Sequence, residues 1–283
     1  MGDFQEQTVE IYSWEDAQDK LFKGAWQSNL NRYRPSHAFR GLSEEYDTLP
    51  TSLIRLGQQN SDGIFDASHG ADVESDILRN FIKYAEDRSL SDKSIWHQLS
   101  VAQHYGLPTR ILDWTYSPLV ALHFATENMS KLDEDGLIWR VDIDEAHALL
   151  NDTWTKEKSG HVFTIDELTE VASNFDDPNA IFEQNETDGP LFFEPPSLDG
   201  RIVNQFALFS VLPDPTQRFD QWLADHRNIF KRYRIPASVK MEIRDKLDAS
   251  NITERVLFPG LDGLAEWLQR YYTPIRETET QPP

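Results

Sequence analysis

Between Trp96 and Ala125 the sequence reads WHQLSVAQHYGLPTRILDWTYSPLVALHFA, with polar side chains where a core segment would carry apolar ones. Gln103, His104, Arg110, Asp113, Trp114, Thr115 and Ser117 fall between two apolar stretches of helical spacing. Ser117-Pro118 starts a helix, whose first backbone N–H groups suit an anion or phosphate. Arg110 could close on that anion as a bidentate clamp. Asp113 offers a carboxylate, and His104 an imidazole that could act as a catalyst. Trp114 or Tyr105 could stack on a flat ring. Each residue also has a structural use. Asp113 can pair with Arg110 or cap the Thr115–Ser117 turn. His104 can be a hydrogen-bonded core residue in line with His97 and Val101. Thr115 and Ser117 can serve as helix caps, and Trp114 as packing.

Other chemistries lack their residues. The chain has no GxGxxG, no GxxxxGK[ST], no HExxH and no GxSxG, so Rossmann, P-loop, zincin and serine-hydrolase sites have no support. His97 and His104 stand seven apart, about 10 Å along a helix, too far to share one metal ion. No metal is expected. With no cysteine there are no disulfides, thiolate zinc sites, iron–sulfur clusters or cysteine nucleophiles.

The elements that must position these residues follow from periodicity. Trp14, Ala17, Leu21 and Ala25 predict a helix over about 14–32, opened by Ser13 and Asp16. His37 to Gly41 reads as a short strand. Residues 60–71 are rich in Gly, Ser and Asp and read as a loop, with Asp72 capping the next helix. A helix from about Asp92 to Tyr105 stops at Gly106 and Pro108. Arg110 to Asp113 is β-like, and a helix apolar nearly all round runs from Ser117 to about Asn128. Further strands are expected at Gly136–Val141, Leu191–Glu194, Phe206–Leu212 and Arg227–Arg234. Further helices are expected near 165–175, from Pro236 to Leu247, and on Leu261, Leu264, Ala265 and Leu268. This mixture predicts an α+β fold: one compact domain, residues 1–275 with a core of about 14–271, and a mixed or antiparallel sheet flanked by helices. Residues 276–283 (RETETQPP) read as a disordered tail.

Composition limits the partners. Twenty-seven basic against 48 acidic residues give a net charge of −21, so an extended nucleic-acid surface is not expected. The basic run Arg227, Lys231, Arg232 and Arg234 reads better as a half-exposed strand with alternating charges. No apolar run reaches the ~20 residues that span a bilayer. The acidic start lacks a signal region, so a cytoplasmic location is expected.

Several of these blocks, in their order, resemble the FRG domain family. They are Phe39-Arg40-Gly41 with Leu49-Pro50 and Arg55, the Gln103–Ala125 segment, Arg201-Ile202-Val203-Asn204-Gln205-Phe206, and LFPGLDGLAEWL. The resemblance runs from about Trp14 to Tyr271. One departure is Phe206-Ala207, where the family pattern leads one to expect a glycine. The resemblance implies a bacterial, archaeal or phage protein of the cytoplasm.

More remotely, the blocks resemble the three-part signature of ADP-ribosyltransferases. Arg40 stands for the first motif. Thr115 and Ser117, running into Ala121-Leu122-His123-Phe124-Ala125, stand for the second, and Gln205 for the third. That resemblance implies an ADP-ribosyltransferase-like fold and NAD as a substrate. It casts Arg40, Asp113, Gln205 and His104 as catalytic residues. Arg40, Arg110, Trp114, Thr115, Ser117 and Tyr105 would bind the dinucleotide. It also implies a transferase or NAD glycohydrolase acting as a toxin or anti-phage effector. A module that binds a nucleotide or phosphate ligand without chemistry is the alternative, favoured by the uncharged Gln205.

Overall fold

The strand expected at His37–Gly41 forms and lies at the centre of the protein. The computed structural model describes residues 4–28, 30–34, 36–58, 67–85, 88–150, 162–171, 189–212 and 214–274. In chain order its strands are β1 (Thr8–Glu10), β2 (Trp26–Gln27), β3 (Arg32–Tyr33), β4 (His37–Leu42), β5 (Ile111–Thr115), β6 (Gly136–Asp142), β7 (Leu191–Phe193), β8 (Ala207–Val211) and β9 (Phe230–Ile235). Seven of them make one mixed sheet in the order β1-β9-β6-β4-β5-β8-β7, while β2 and β3 pair apart. Only β1 and β9 run parallel in that sheet. The fold is α+β, a single compact body with helices around a central sheet, as the sequence predicts.

Period-two alternation divides the core. Ala38, Trp139, Leu112 and Trp114 point to one face, where they meet Phe219 and Trp222. Phe39 and Ile138 point to the other, under α1 (Trp14–Leu21), α5 (Pro118–Thr126) and α10 (Ala237–Ala249). A third cluster joins β5, β7 and β8 to α3 (Ala67–Tyr84), α4 (Ile95–His104) and α7 (Ile165–Val171). The remaining helices are α2 (Ser52–Gln58), α6 (Ile143–Ala148), α8 (Gly200–Asn204), α9 (Phe219–Asp225), α11 (Glu254–Leu257) and α12 (Leu261–Tyr272).

Gly41 shows why this centre needs its local sequence. A Cβ there would overlap the carbonyl oxygen of Ala121 and lie 2.8 Å from the Ala125 nitrogen. The backbone of α5 therefore rests directly on β4, and small residues on both sides allow it. Overpacking such a contact costs typically about 1–3 kcal/mol.

Three expectations are corrected. The first helix ends at Leu21 rather than near 32, because Gly24 takes φ +85° and the chain turns into the β2–β3 hairpin. Asp72 lies inside α3, which begins at Ala67, so it is not a cap. The acidic helix near 165–175 forms at Ile165–Val171. Residues 172–188 and the tail 276–283 lie outside the described residues.

The third concerns α12. It forms where the leucine spacing predicts, but Leu261 is 82% exposed and Leu264 and Leu268 also face solvent. The helix docks instead through its polar side, where Arg270 makes paired bonds to Asp248 (2.6 and 2.9 Å) and to Glu254 (2.6 and 2.8 Å). Among the described residues, no helix is long and apolar enough to cross a membrane.

His37 opens β4 in a buried position, with Nδ1 unpartnered and Nε2 3.6 Å from Asp142. Burial lowers its pKa from 6.5 to about 4, Arg140 adds to the effect, and Asp142 opposes it. The unfolded chain thus binds the extra proton between those two values, and stability falls as pH drops through that window. Replacing His37 by Gln removes this term. In denaturation at pH 7 and pH 5, wild type loses about 2 kcal/mol more than H37Q between the two. Equal losses would show that His37 is not titrating in this way.

Candidate functional site

The sheet is split at its middle. β4 pairs with β6 over six residues, from His37 to Leu42, and β5 pairs with β8 over five. Between β4 and β5 the register holds at one position only, Phe39 opposite Thr115. Beyond it the strands part, and the facing backbone groups lose their ladder partners. Arg40 fills the gap. Its Nη1 donates to the Asp113 carbonyl at 2.6 Å, a charged substitute for the missing ladder bond. The side chain is 18% exposed, and its Nε is buried with no hydrogen-bond partner among the described residues. Burial pushes the guanidinium below its ordinary pKa; Asp113 opposes this and Arg55 adds to it.

A cavity of about 350 Å³ opens over this split, at the lower end of the ~300–1,000 Å³ usual for small-molecule sites. Arg40, Gln103, His104, Asp113, Trp114, Thr115 and Gln205 all line it, so seven of the residues singled out in the sequence meet in one place. The Asp113 carboxylate is about half exposed, 4.0 Å from Arg40, and accepts from Gln103 Nε2 at 2.8 Å. Gln103 is fixed in turn by Thr109, whose hydroxyl donates to it at 2.6 Å. His104 Nε2 lies 2.9 Å from Asp199. Burial pushes Asp199 up, but the Ile202 N–H, His104 and the Arg201 N–H together hold it below the ordinary carboxylate value. Thr115 Oγ1 donates to the Gln205 carbonyl (2.6 Å) and accepts from the Ser117 N–H (3.0 Å). Gln205 also donates from Nε2 to the Leu257 carbonyl, which fixes the amide on the wall.

The other candidates have different tasks. Arg110 is buried, and its backbone N–H and Nε reach Glu74 at 2.6 and 2.5 Å. It does not line the cavity, and breaking such a buried pair typically costs about 3–5 kcal/mol. The Trp114 ring points to the opposite face of the sheet, bonded to Ser210 and packed on Phe192 and Phe219. Tyr105 is 73% exposed and lines a separate groove between α3 and α4. Ser117 caps α5 by accepting from the Val120 N–H. In the basic run, Arg232 is buried against Asp47 and Arg234 pairs with Glu45. Among the described residues, no group of three or more His, Asp or Glu is placed to hold a metal.

The model of the FRG domain matches residues 35–134. The chain carries an FRG domain. No curated protein and no solved structure matches it. The FRG match covers β4, α4, β5 and α5, and so supplies Arg40, Gln103, His104, Asp113 and Thr115. Arg201 and Gln205, which close the cavity, come from beyond it.

Glu127, on the wall, and Asp199 and Arg244, which do not line the cavity, escape the sequence reading. Glu127 caps the C-terminal end of α5, and the buried His123 one turn before it lies 3.3 Å away. Arg244 stands behind, 3.0 Å from His123 Nδ1 and 3.2 Å from Glu254. Arg201 holds its guanidinium over the Phe258 ring, and Asp199 caps α8 while pairing His104. The spacing of His123 and Glu127 is the one local signal for this set.

Phe206 follows α8 with φ +48°, a left-handed conformation, in the Phe206-Ala207 pair where the sequence departs from the glycine of the family pattern. Its ring is 62% exposed, and its carbonyl accepts from the Tyr116 N–H. A bulky residue in this region carries about 1–2 kcal/mol of strain, partly offset in a glycine variant by greater freedom of the unfolded chain. Phe206→Gly should raise the unfolding free energy by up to about 1 kcal/mol in denaturant titration. A clear loss would mean that contacts of the ring outweigh the strain.

Proposed function

We propose that the FRG domain binds NAD across the β4–β5 split and cleaves its nicotinamide–ribose bond. The observation that carries this reading is the meeting of Arg40, Asp113, His104, Thr115 and Gln205 around one cavity. Those residues come from the three blocks that resemble the ADP-ribosyltransferase signature.

Arg40 supplies a desolvated guanidinium with an unused Nε–H for the diphosphate. The reaction passes through an oxocarbenium-like state, as glycoside cleavage does. The glycosidic bond breaks, and its electron pair goes to the ring nitrogen of nicotinamide. Positive charge then develops on the ribose carbon. Asp113, half exposed and held by Gln103, is the carboxylate placed to stabilise that charge. The oxygen of water, or of an acceptor group, attacks the same carbon and releases one proton. The His104–Asp199 pair stands on the wall where it can take that proton. The Gln205 amide, fixed on Leu257, is available to a ribose hydroxyl. Loss of cellular NAD is the chemistry through which a toxin or anti-phage effector of this kind would act.

Purified protein incubated with NAD should release nicotinamide, followed by chromatography. Asp113→Asn should lower kcat by roughly 100-fold or more, and Arg40→Lys should raise KM. NAD that binds and is recovered intact would leave a nucleotide-binding module in place of an enzyme. No release, with no ADP-ribose on any lysate component, would refute the reaction.

A further inference from the structure

Arg40 has a second neighbour on the side away from Asp113. A cavity of about 300 Å³ is lined by Arg40, Leu42, Tyr46, Thr48, Leu49, Pro50 and Arg55, and shares Arg40 and Leu42 with the larger cleft. Among the described residues its wall holds two guanidinium groups and no carboxylate, in a chain with 48 acidic residues. The acids nearest in sequence are engaged elsewhere. Glu44 takes Lys131 and the Tyr46 hydroxyl, Glu45 takes Arg234, and Asp47 takes Arg232.

The wall is also built rather than incidental. The Leu49 N–H donates to the buried Asp220 carboxylate at 2.6 Å, and the Leu53 N–H to the Thr109 carbonyl, which fixes the segment leading into α2. Arg55 is held at the rim by its bond to the Pro50 carbonyl at 2.9 Å. Two like charges thus share one small hollow, and the buried Nε of Arg40 remains unpartnered. An anion between the two guanidiniums offsets their repulsion.

We propose that this hollow is a phosphoryl subsite formed by Arg40 and Arg55, with Tyr46 and Thr48 on its wall. Arg40 is then shared by two compartments, and a ligand with a diphosphate can lie across it with one end in each. The inference stands on this geometry and not on the bond cleavage proposed above.

Inorganic pyrophosphate, titrated calorimetrically into the full chain, tests it. Arg55 lines only this hollow and Arg201 only the larger cleft. Both side chains are exposed, and circular dichroism of each variant checks that the fold is kept. Pyrophosphate should bind at least tenfold more weakly to Arg55→Ala than to wild type, with any loss in Arg201→Ala smaller. Arg55→Lys should restore part of the loss. Absence of binding to wild type, or a loss in R201A without one in R55A, would overturn the subsite. NAD turnover with pyrophosphate binding that ignores Arg55 would remove the subsite and leave the reaction standing.

Discussion

One guanidinium between two parted strands determines the character of this protein. A sheet that opens at its centre exposes backbone donors and acceptors that normally satisfy each other, and desolvating them without partners is costly. Arg40 meets that demand on one side through the Asp113 carbonyl and keeps an unsatisfied N–H for something else. A hydrogen bond from a charged donor contributes about 1.5–3 kcal/mol, so the same side chain braces the split and marks it as an anion site. Helix α5, seated on Gly41, and the bond from Thr115 to Gln205 hold the two halves around it.

Charge is distributed to match. Acidic residues dominate the chain, yet arginines at its centre are paired one by one, Arg110 with Glu74, Arg232 with Asp47 and Arg270 with Asp248 and Glu254. Arg40 and Arg55 differ in facing a hollow whose wall, among the described residues, has no carboxylate. A net negative field outside and a small basic interior favour a compact anion that enters a pocket over a long polyanion lying on the surface. The segment matched by the FRG model brings most of the cleft, and α8 brings the closing wall from outside it.

Much of this was legible in the residues themselves. Strand β4, the cap at Ser117 and the turn from β5 into α5 follow from local spacing, and the structure has them. The Phe206-Ala207 pair was legible as a departure from the family pattern, while the positive φ of Phe206 was not. Arg110 was not, because its partner Glu74 lies 36 residues away on α3. Periodicity gave α12 an apolar stripe but not its orientation, which the ion pairs of Arg270 decide. The split itself is a tertiary fact: nothing in either strand says that β4 and β5 share a single register position.

The central claim is that the free donors of Arg40 receive an anion from the ligand. A crystal structure of the protein with ADP-ribose tests it most directly. The account predicts a phosphoryl oxygen within hydrogen-bond distance of Arg40 Nε, with the ribose over the β4–β5 opening. ADP-ribose bound away from Arg40, or absent at saturating concentration, would contradict it.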